Sequence, residues 1–310
     1  MDRGPIFIGG LDRSGKTLLR LMLSSHPNIA MTRRSYMWTD FYKRFGDLSN
    51  RVNFERCLAA MLRHKSMRFL EPDIDRIRRE FWQGEPTYAR LFGLFHLHHA
   101  EKLGKTRWGD QLASIERYAN PILLAFPYAK IIHIMRDPRE RYIDSNKSLS
   151  RRRGKAGWEA ARWLSSALLA KRNLRHFPEN YMVIRYEDFI SRPEQTLRDV
   201  CSFIGECFEP SMLTMEGAER FGEQDANNLP KNSKSDMISG GESGRSTRLI
   251  RKREIAILQA FAKQEMATNG YLLEQPRFSL AEWCVYYLVD WPMNLLGFTA
   301  WRLFDARQPV

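Results

Sequence analysis

The stretch Pro5–Pro27, PIFIGGLDRSGKTLLRLMLSSHP, contains a whole folding unit in the order of its residues. Pro5 to Ile8 is a short apolar run stopped by a glycine pair, the pattern of a parallel strand buried on both faces and entering a turn. Leu18, Leu19, Leu21, Met22 and Leu23 then make an apolar helix, which His26-Pro27 brings to a stop. Strand, glycine loop and helix in this order offer an anion the free N–H groups and the positive end of a helix dipole. Two phosphate-binding patterns fit the loop. From Gly10 it reads Gly-x-x-x-x-Gly-Lys-Thr, the nucleoside-triphosphate P-loop, and from Arg13 it reads Arg-Ser-Gly-x-Thr before the helix and His-Pro.

The remainder of the 310 residues bounds the choice. That length accommodates one large α/β domain or two small ones, and an apolar content of 43% excludes wholesale disorder. A formal charge of +13 implies an anionic partner: nucleic acid, acidic lipid or a polyanionic nucleotide. No nucleic-acid module signature is present, so nucleic acid is not expected. Cys57, Cys201, Cys207 and Cys284 lack metal-ligand spacing and read as reduced thiols, and no metal is expected. MDRGPIFIGG has no long apolar segment, which predicts a cytoplasmic start.

Further along, residues 30–104 are mixed and locally helical, and read either as an insertion around an acceptor pocket or as an ordinary helical cap. AKIIHIM (129–135) is a second strand running into RDPRERYIDSNKSL, where Pro138 suits a first helical turn. GWEAARWLSSALLAKRNLRHF is an amphipathic helix and YMVIRYED a third strand. In SRPEQTLRDVCSFIG, Ser191 and Glu194 form a capping box, Pro193 lies near the first turn and Gly205 closes the helix. Gly222 to Ser246 reads as a mobile loop, and a last domain helix spans about 251–269. The apolar C-terminal tail, 276–310, contains FSLAEWCVYYLVDWPMNLLGFTAWRLF, which Asp290 and Pro292 divide into halves too short to span a bilayer. It reads either as an interfacial helix at an acidic membrane surface, peripheral on its inner face, or as a tail packed on the domain or a partner. Alternating strands and helices predict an α/β, three-layer P-loop-like fold: a central parallel sheet, a helical insertion and the apolar tail.

With IIHIMRDPRERY and VIRYEDFISRPEQTLRDVCSFIG in order behind the first loop, the chain resembles the sulfotransferases that use 3′-phosphoadenosine 5′-phosphosulfate (PAPS). The resemblance covers Pro5 to about Tyr271 and ends with GR (244–245) and GY (270–271), implying a sulfotransferase-like domain over 1–275. It implies PAPS as sulfuryl donor and adenosine 3′,5′-bisphosphate (PAP) as product. Arg13, Ser14, Gly15, Lys16 and Thr17 would hold the 5′-phosphosulfate, with Arg13 beside the leaving group. Arg136 would take the 3′-phosphate, Ser145 would assist and Arg245 would close over it.

Three departures stand out. Lys16 occupies a place where relatives often have Thr, Asp144 stands where the family has its 3′-phosphate Ser, and Arg33 and Arg34 replace the Glu that protein-tyrosine sulfotransferases carry after His-Pro. Asp110 in WGDQLA is therefore the candidate general base, with a helix cap as its other reading. His26 and His133 read as structural. Arg33, Arg34 and the run SRRRGK (150–155) suit an acidic acceptor or a lipid headgroup. A carbohydrate or glycolipid hydroxyl is the expected acceptor. Two other functions fit the first loop: a magnesium-dependent P-loop kinase using Lys16, Thr17 and a Walker-B Asp137, and a membrane-surface nucleotide-binding protein without turnover.

Overall fold

A computed structural model describes residues 3–146, 154–219 and 250–307. Five strands, β1 (Ile6–Gly9), β2 (Ile29–Arg33), β3 (Arg107–Gln111), β4 (Lys130–Met135) and β5 (Tyr181–Arg185), form one parallel sheet in the order β2-β3-β1-β4-β5. Phe7 of β1 sits opposite Asp110 on one side and Ile131 on the other. The chain thus leaves β1 in both directions, and the crevice above its carboxyl end is the switch point where ligands of such sheets bind.

Alternation along β1 divides the core into two. Ile6 and Ile8 join Ile132 and Ile134 on one face, where they meet Leu19 and Leu23 of α1 (Lys16–Ser24). Phe7 and Ile131 face the other way, toward the helices between β2 and β3: α2 (Arg51–Arg63), α3 (Lys65–Arg68), α4 (Ile74–Phe81) and α5 (Tyr88–Lys102). After β3 come a 3₁₀ turn at Ile115–Tyr118 and α6 (Ala119–Ala125); after β4 come α7 (Pro138–Asn146) and α8 (Lys155–His176). Helices α9 (Tyr186–Ser191), α10 (Pro193–Ile204) and α11 (Ser211–Thr214) follow β5, then α12 (Lys252–Thr268), α13 (Leu280–Val285) and α14 (Trp291–Ala306). The three-layer α/β architecture is as the sequence predicts.

Three details depart from expectation. The expected helical insertion begins inside β2, and WGDQ is the end of β3 and no helix cap. Ser191 does not cap α10: it is the last residue of α9 and its hydroxyl donates to the Asp188 carbonyl, while Arg192 takes the cap position and Pro193 starts the helix. A residue already in helical backbone cannot adopt the extended cap geometry. Gly205 does close α10, in the left-handed region.

The C-terminal segment packs on the domain. Phe261 of α12 stacks on Trp291 and Phe298 at 5.2 and 4.4 Å, and the Asn294 side chain accepts the Gly157 N–H at 2.8 Å. A Cβ on Gly157 would lie 1.9 Å from the Asn294 carbonyl oxygen, so glycine is what lets α8 and α14 approach. Among the described residues no helix is long and apolar enough to cross a membrane.

Candidate active site

The loop Gly10–Gly15 crosses the top of β1 and feeds α1. Three of its residues are held at positive φ, Gly10 at 109°, Arg13 at 66° and Gly15 at 96°. For Gly15 the ring of Tyr186 adds a second constraint, since a Cβ there would lie 2.4 Å from the ring. At Arg13 a side chain in this conformation costs about 1–2 kcal/mol, strain of the kind stored at functional sites. The residue is exposed. Ser14 is buried, its hydroxyl donating to the Leu11 carbonyl at 2.7 Å. Helix α1 has no acidic residue in its first turn, and the first N–H groups of any helix lack intrahelical acceptors, so the Gly15–Thr17 end is open to an anion.

Lys16 lies folded under the loop. Its ammonium donates to the carbonyls of Gly10 and Leu11 at 2.7 and 2.6 Å and lies 3.9 Å from Asp12. Burial lowers its pKa to about 8, against the opposing pull of Asp12 and Glu116. Asp12 itself is held below the usual carboxylate range: burial raises it, but Lys16, Arg162, Arg34 and Arg141 outweigh that.

Glu116, on the 3₁₀ turn after β3, supports the loop from below. Its carboxylate accepts the Gly10 N–H at 3.2 Å and the Ser166 hydroxyl at 2.7 Å. Burial works against its charge, but His133, Ser166 and Lys16 together hold its pKa down. His133 is buried beside Tyr181 and Ser166, and His26 bonds the Cys207 carbonyl, as expected of structural histidines.

Arg136 ends β4 against this loop. Its guanidinium donates to the Arg13 carbonyl at 2.9 Å and to Asp144 at 2.7 Å, and it lies 4.6 Å over the Tyr186 ring. Trp163 of α8 fixes the same strand end by donating to the Arg136 carbonyl at 2.8 Å. The structure therefore brings Arg13, Ser14, Gly15, Lys16, Thr17 and Arg136 together. The Ser145 hydroxyl donates to the Tyr142 carbonyl at 2.8 Å, and Asp144 next to it engages the arginine. Arg245, most of SRRRGK and the expected loop at 222–246 lie outside the described residues.

Asp110 is buried, with one carboxylate oxygen taking the Thr32 hydroxyl at 2.9 Å and the other the Ser35 hydroxyl. Burial raises its pKa, which these hydroxyls oppose. Those contacts tie down the turn after β2 on which Arg34 sits, and Arg34 lies within electrostatic reach of both Asp12 and Lys16. The Walker-B candidate is otherwise engaged. Asp137 pairs through both oxygens with Arg139, whose guanidinium also bonds Gln259 and Glu274. Among the described residues no group of three or more His, Cys, Asp or Glu side chains could hold a metal ion.

Sequence reasoning missed Glu116, Tyr186 as the wall behind Gly15, and Arg162, which lies 3.7 Å from Asp12. Tyr186 stood inside the quoted RYED motif, whereas nothing in SIERY marked Glu116.

A parallel α/β sheet whose first loop and fourth strand converge at the switch point is the architecture of the P-loop-like class. The chain belongs to the sulfotransferase family, whose sequence model matches residues 5–210. Among solved structures it is similar to the sulfotransferase domain from the Synechococcus PCC 7002 olefin synthase, at 21% identity over 87% of this chain and 95% of that one, TM-score 0.59. It is also similar to the sulfotransferase domain from the curacin biosynthetic pathway, at 18% identity over 88% and 99%, TM-score 0.57. A mouse sulfotransferase complexed with PAP matches at 14% identity over 93% and 89%, TM-score 0.44. No curated protein sequence matches the chain. The protein is a sulfotransferase.

Proposed function

We propose that the enzyme transfers a sulfuryl group from PAPS to an acceptor hydroxyl, on a carbohydrate or glycolipid. The observation that carries the donor assignment is Arg136, which the end of β4 sets against the Arg13 carbonyl and the Tyr186 ring. A fixed guanidinium there suits a second phosphate beside the one cradled by the loop. The acceptor oxygen forms a bond to sulfur while the bridging bond from sulfur to the 5′-phosphate oxygen breaks; PAP leaves with that electron pair, and the acceptor's hydroxyl proton passes to water. Arg13 and the N–H groups of the α1 terminus stabilise charge building on the bridging and equatorial oxygens, as preorganised donors do, while the buried Lys16 ammonium adds positive charge from beneath the loop. Arg136 holds the 3′-phosphate in this reading without the Ser145 hydroxyl. Asp110, expected as base, enters instead as the tie that fixes the turn bearing Arg34. The lipid-linked form of the acceptor is supported by the apolar exterior of the C-terminal helices.

Calorimetric titration with PAP and with ADP, each with and without magnesium, tests the donor assignment. PAP should bind independently of metal, and Arg136→Ala should weaken PAP by about 10- to 100-fold, the loss of a charged hydrogen bond, while leaving ADP nearly unchanged. Equal loss for both nucleotides, or a preference for magnesium and ADP, would overturn the assignment in favour of the kinase.

A further inference from the structure

The C-terminal helices turn their apolar residues outward as well as inward. On α14 and the turn before it, Leu288, Leu295, Leu296 and Leu303 recur at helical spacing along one face, with Leu288 76%, Leu296 64% and Leu303 66% exposed. The opposite face carries Asn294 and Trp301 and packs on α8. A segment needed only to complete the core would be polar on its solvent side. This one is apolar on both.

The charges are sorted in the same way. Glu282 caps its own helix through Ser279, Asp290 pairs with Arg253 at 3.1 Å, and Asp305 is taken by Arg117 and Ser165. The acids of this segment are thus engaged within the protein, while Arg302 and Arg307 flank the leucine face as exposed cations. Trp283 and Tyr287 stack in parallel at 5.3 Å and are both exposed at its end, amphipathic rings of the kind that settle at a lipid headgroup level. An apolar stripe with cationic flanks and exposed aromatics, on a chain of net charge +13, is complementary to an anionic bilayer surface.

We propose that the outward face of α13 and α14 is a docking surface for anionic lipid membranes, into which the leucine stripe inserts while the helices lie in the plane of the surface. The inward face links this surface to the chemistry. Trp301 of α14 lies under the Arg162 guanidinium at 5.5 Å, and Arg162 reaches Asp12 of the donor loop. Docking would therefore hold the mouth of the site close to the membrane, within range of an acceptor carried on a lipid.

The test is cosedimentation of the full chain with phosphatidylcholine vesicles, with and without phosphatidylserine, beside the triple variant Leu288→Glu, Leu296→Glu, Leu303→Glu. Expected are binding that requires phosphatidylserine and weakens with salt, and a loss of at least about tenfold in the variant. PAP binding checks that the variant is folded and keeps this test separate from the donor assignment. Should the variant fail to fold, a blue shift of tryptophan emission in the wild-type protein on adding phosphatidylserine vesicles supplies a second readout. Absence of vesicle binding and of that shift would overturn the proposal. So would unchanged binding by a folded variant, or a wild-type dimer that the substitutions dissociate, which would mean that a second copy covers the face.

Discussion

At the scale of single residues, Lys16 shows why the loop satisfied two patterns. Its ammonium is committed to the loop carbonyls, so it braces the turn. Its burial has a thermodynamic signature. With the folded pKa lowered to about 8, the unfolded chain holds more protons between that value and the ordinary lysine pKa, so the protein gains stability as pH rises through this window. Keeping Lys16 charged below it costs on the order of 3 kcal/mol. A phosphosulfate or PAP in the loop restores the charge, so binding near pH 8 should take up protons and weaken as pH rises further. Titrations of PAP in buffers of different ionisation enthalpy read this uptake directly; none at pH 8, or the same uptake in Lys16→Met, would refute the account. Asp110 separates two roles by kinetics. If it fixes the Arg34 turn, Asp110→Asn should retain PAP affinity and raise the acceptor KM more than it lowers kcat. A fall in kcat of about 100-fold or more, with the loss of an acid limb in the pH profile, would return it to the role of base.

At the scale of elements, the sequence was legible where a junction carries its own punctuation. Gly9-Gly10 at the end of β1, Pro138 at the start of α7, and Pro193 and Gly205 around α10 mark their boundaries by backbone chemistry alone. Strands β2 and β3 carried no such marks. All five residues of β3 are buried, yet Arg107, Asp110 and Gln111 are polar. Arg107 is tolerable there because its guanidinium reaches the Gly4 and Ile204 carbonyls and Glu206, and Asp110 because two hydroxyls meet it. Those partners come from distant segments, so hydropathy along the strand could not announce it. The same reason hid Glu116, whose function exists only once Gly10 and Ser166 are beside it. The loop Arg13 to Thr17 was legible as a loop because it sits between a local strand and a local helix.

At the scale of the molecule, the C-terminal segment resolves into two faces where the sequence offered alternatives. Its inner side completes a cluster with Tyr142, Ile255 and Leu258 and covers Phe261. Truncation after Arg277 should therefore lower the melting temperature by about 10 °C, the scale set by losing a few kcal/mol of aromatic burial in a protein of this size. An unchanged melting temperature would show that the inner contacts contribute nothing to the fold.

The sheet order also has a consequence in time. Strand β1 leads the chain, yet both its neighbours, β3 and β4, lie about a hundred residues downstream. At ribosomal speeds of about 5–20 residues per second, this apolar strand and the loop behind it wait on the order of ten seconds for their partners to be translated. The donor loop is thus synthesised about a hundred residues ahead of the strands that flank β1, leaving β1 exposed to chaperones and to mispairing until they emerge.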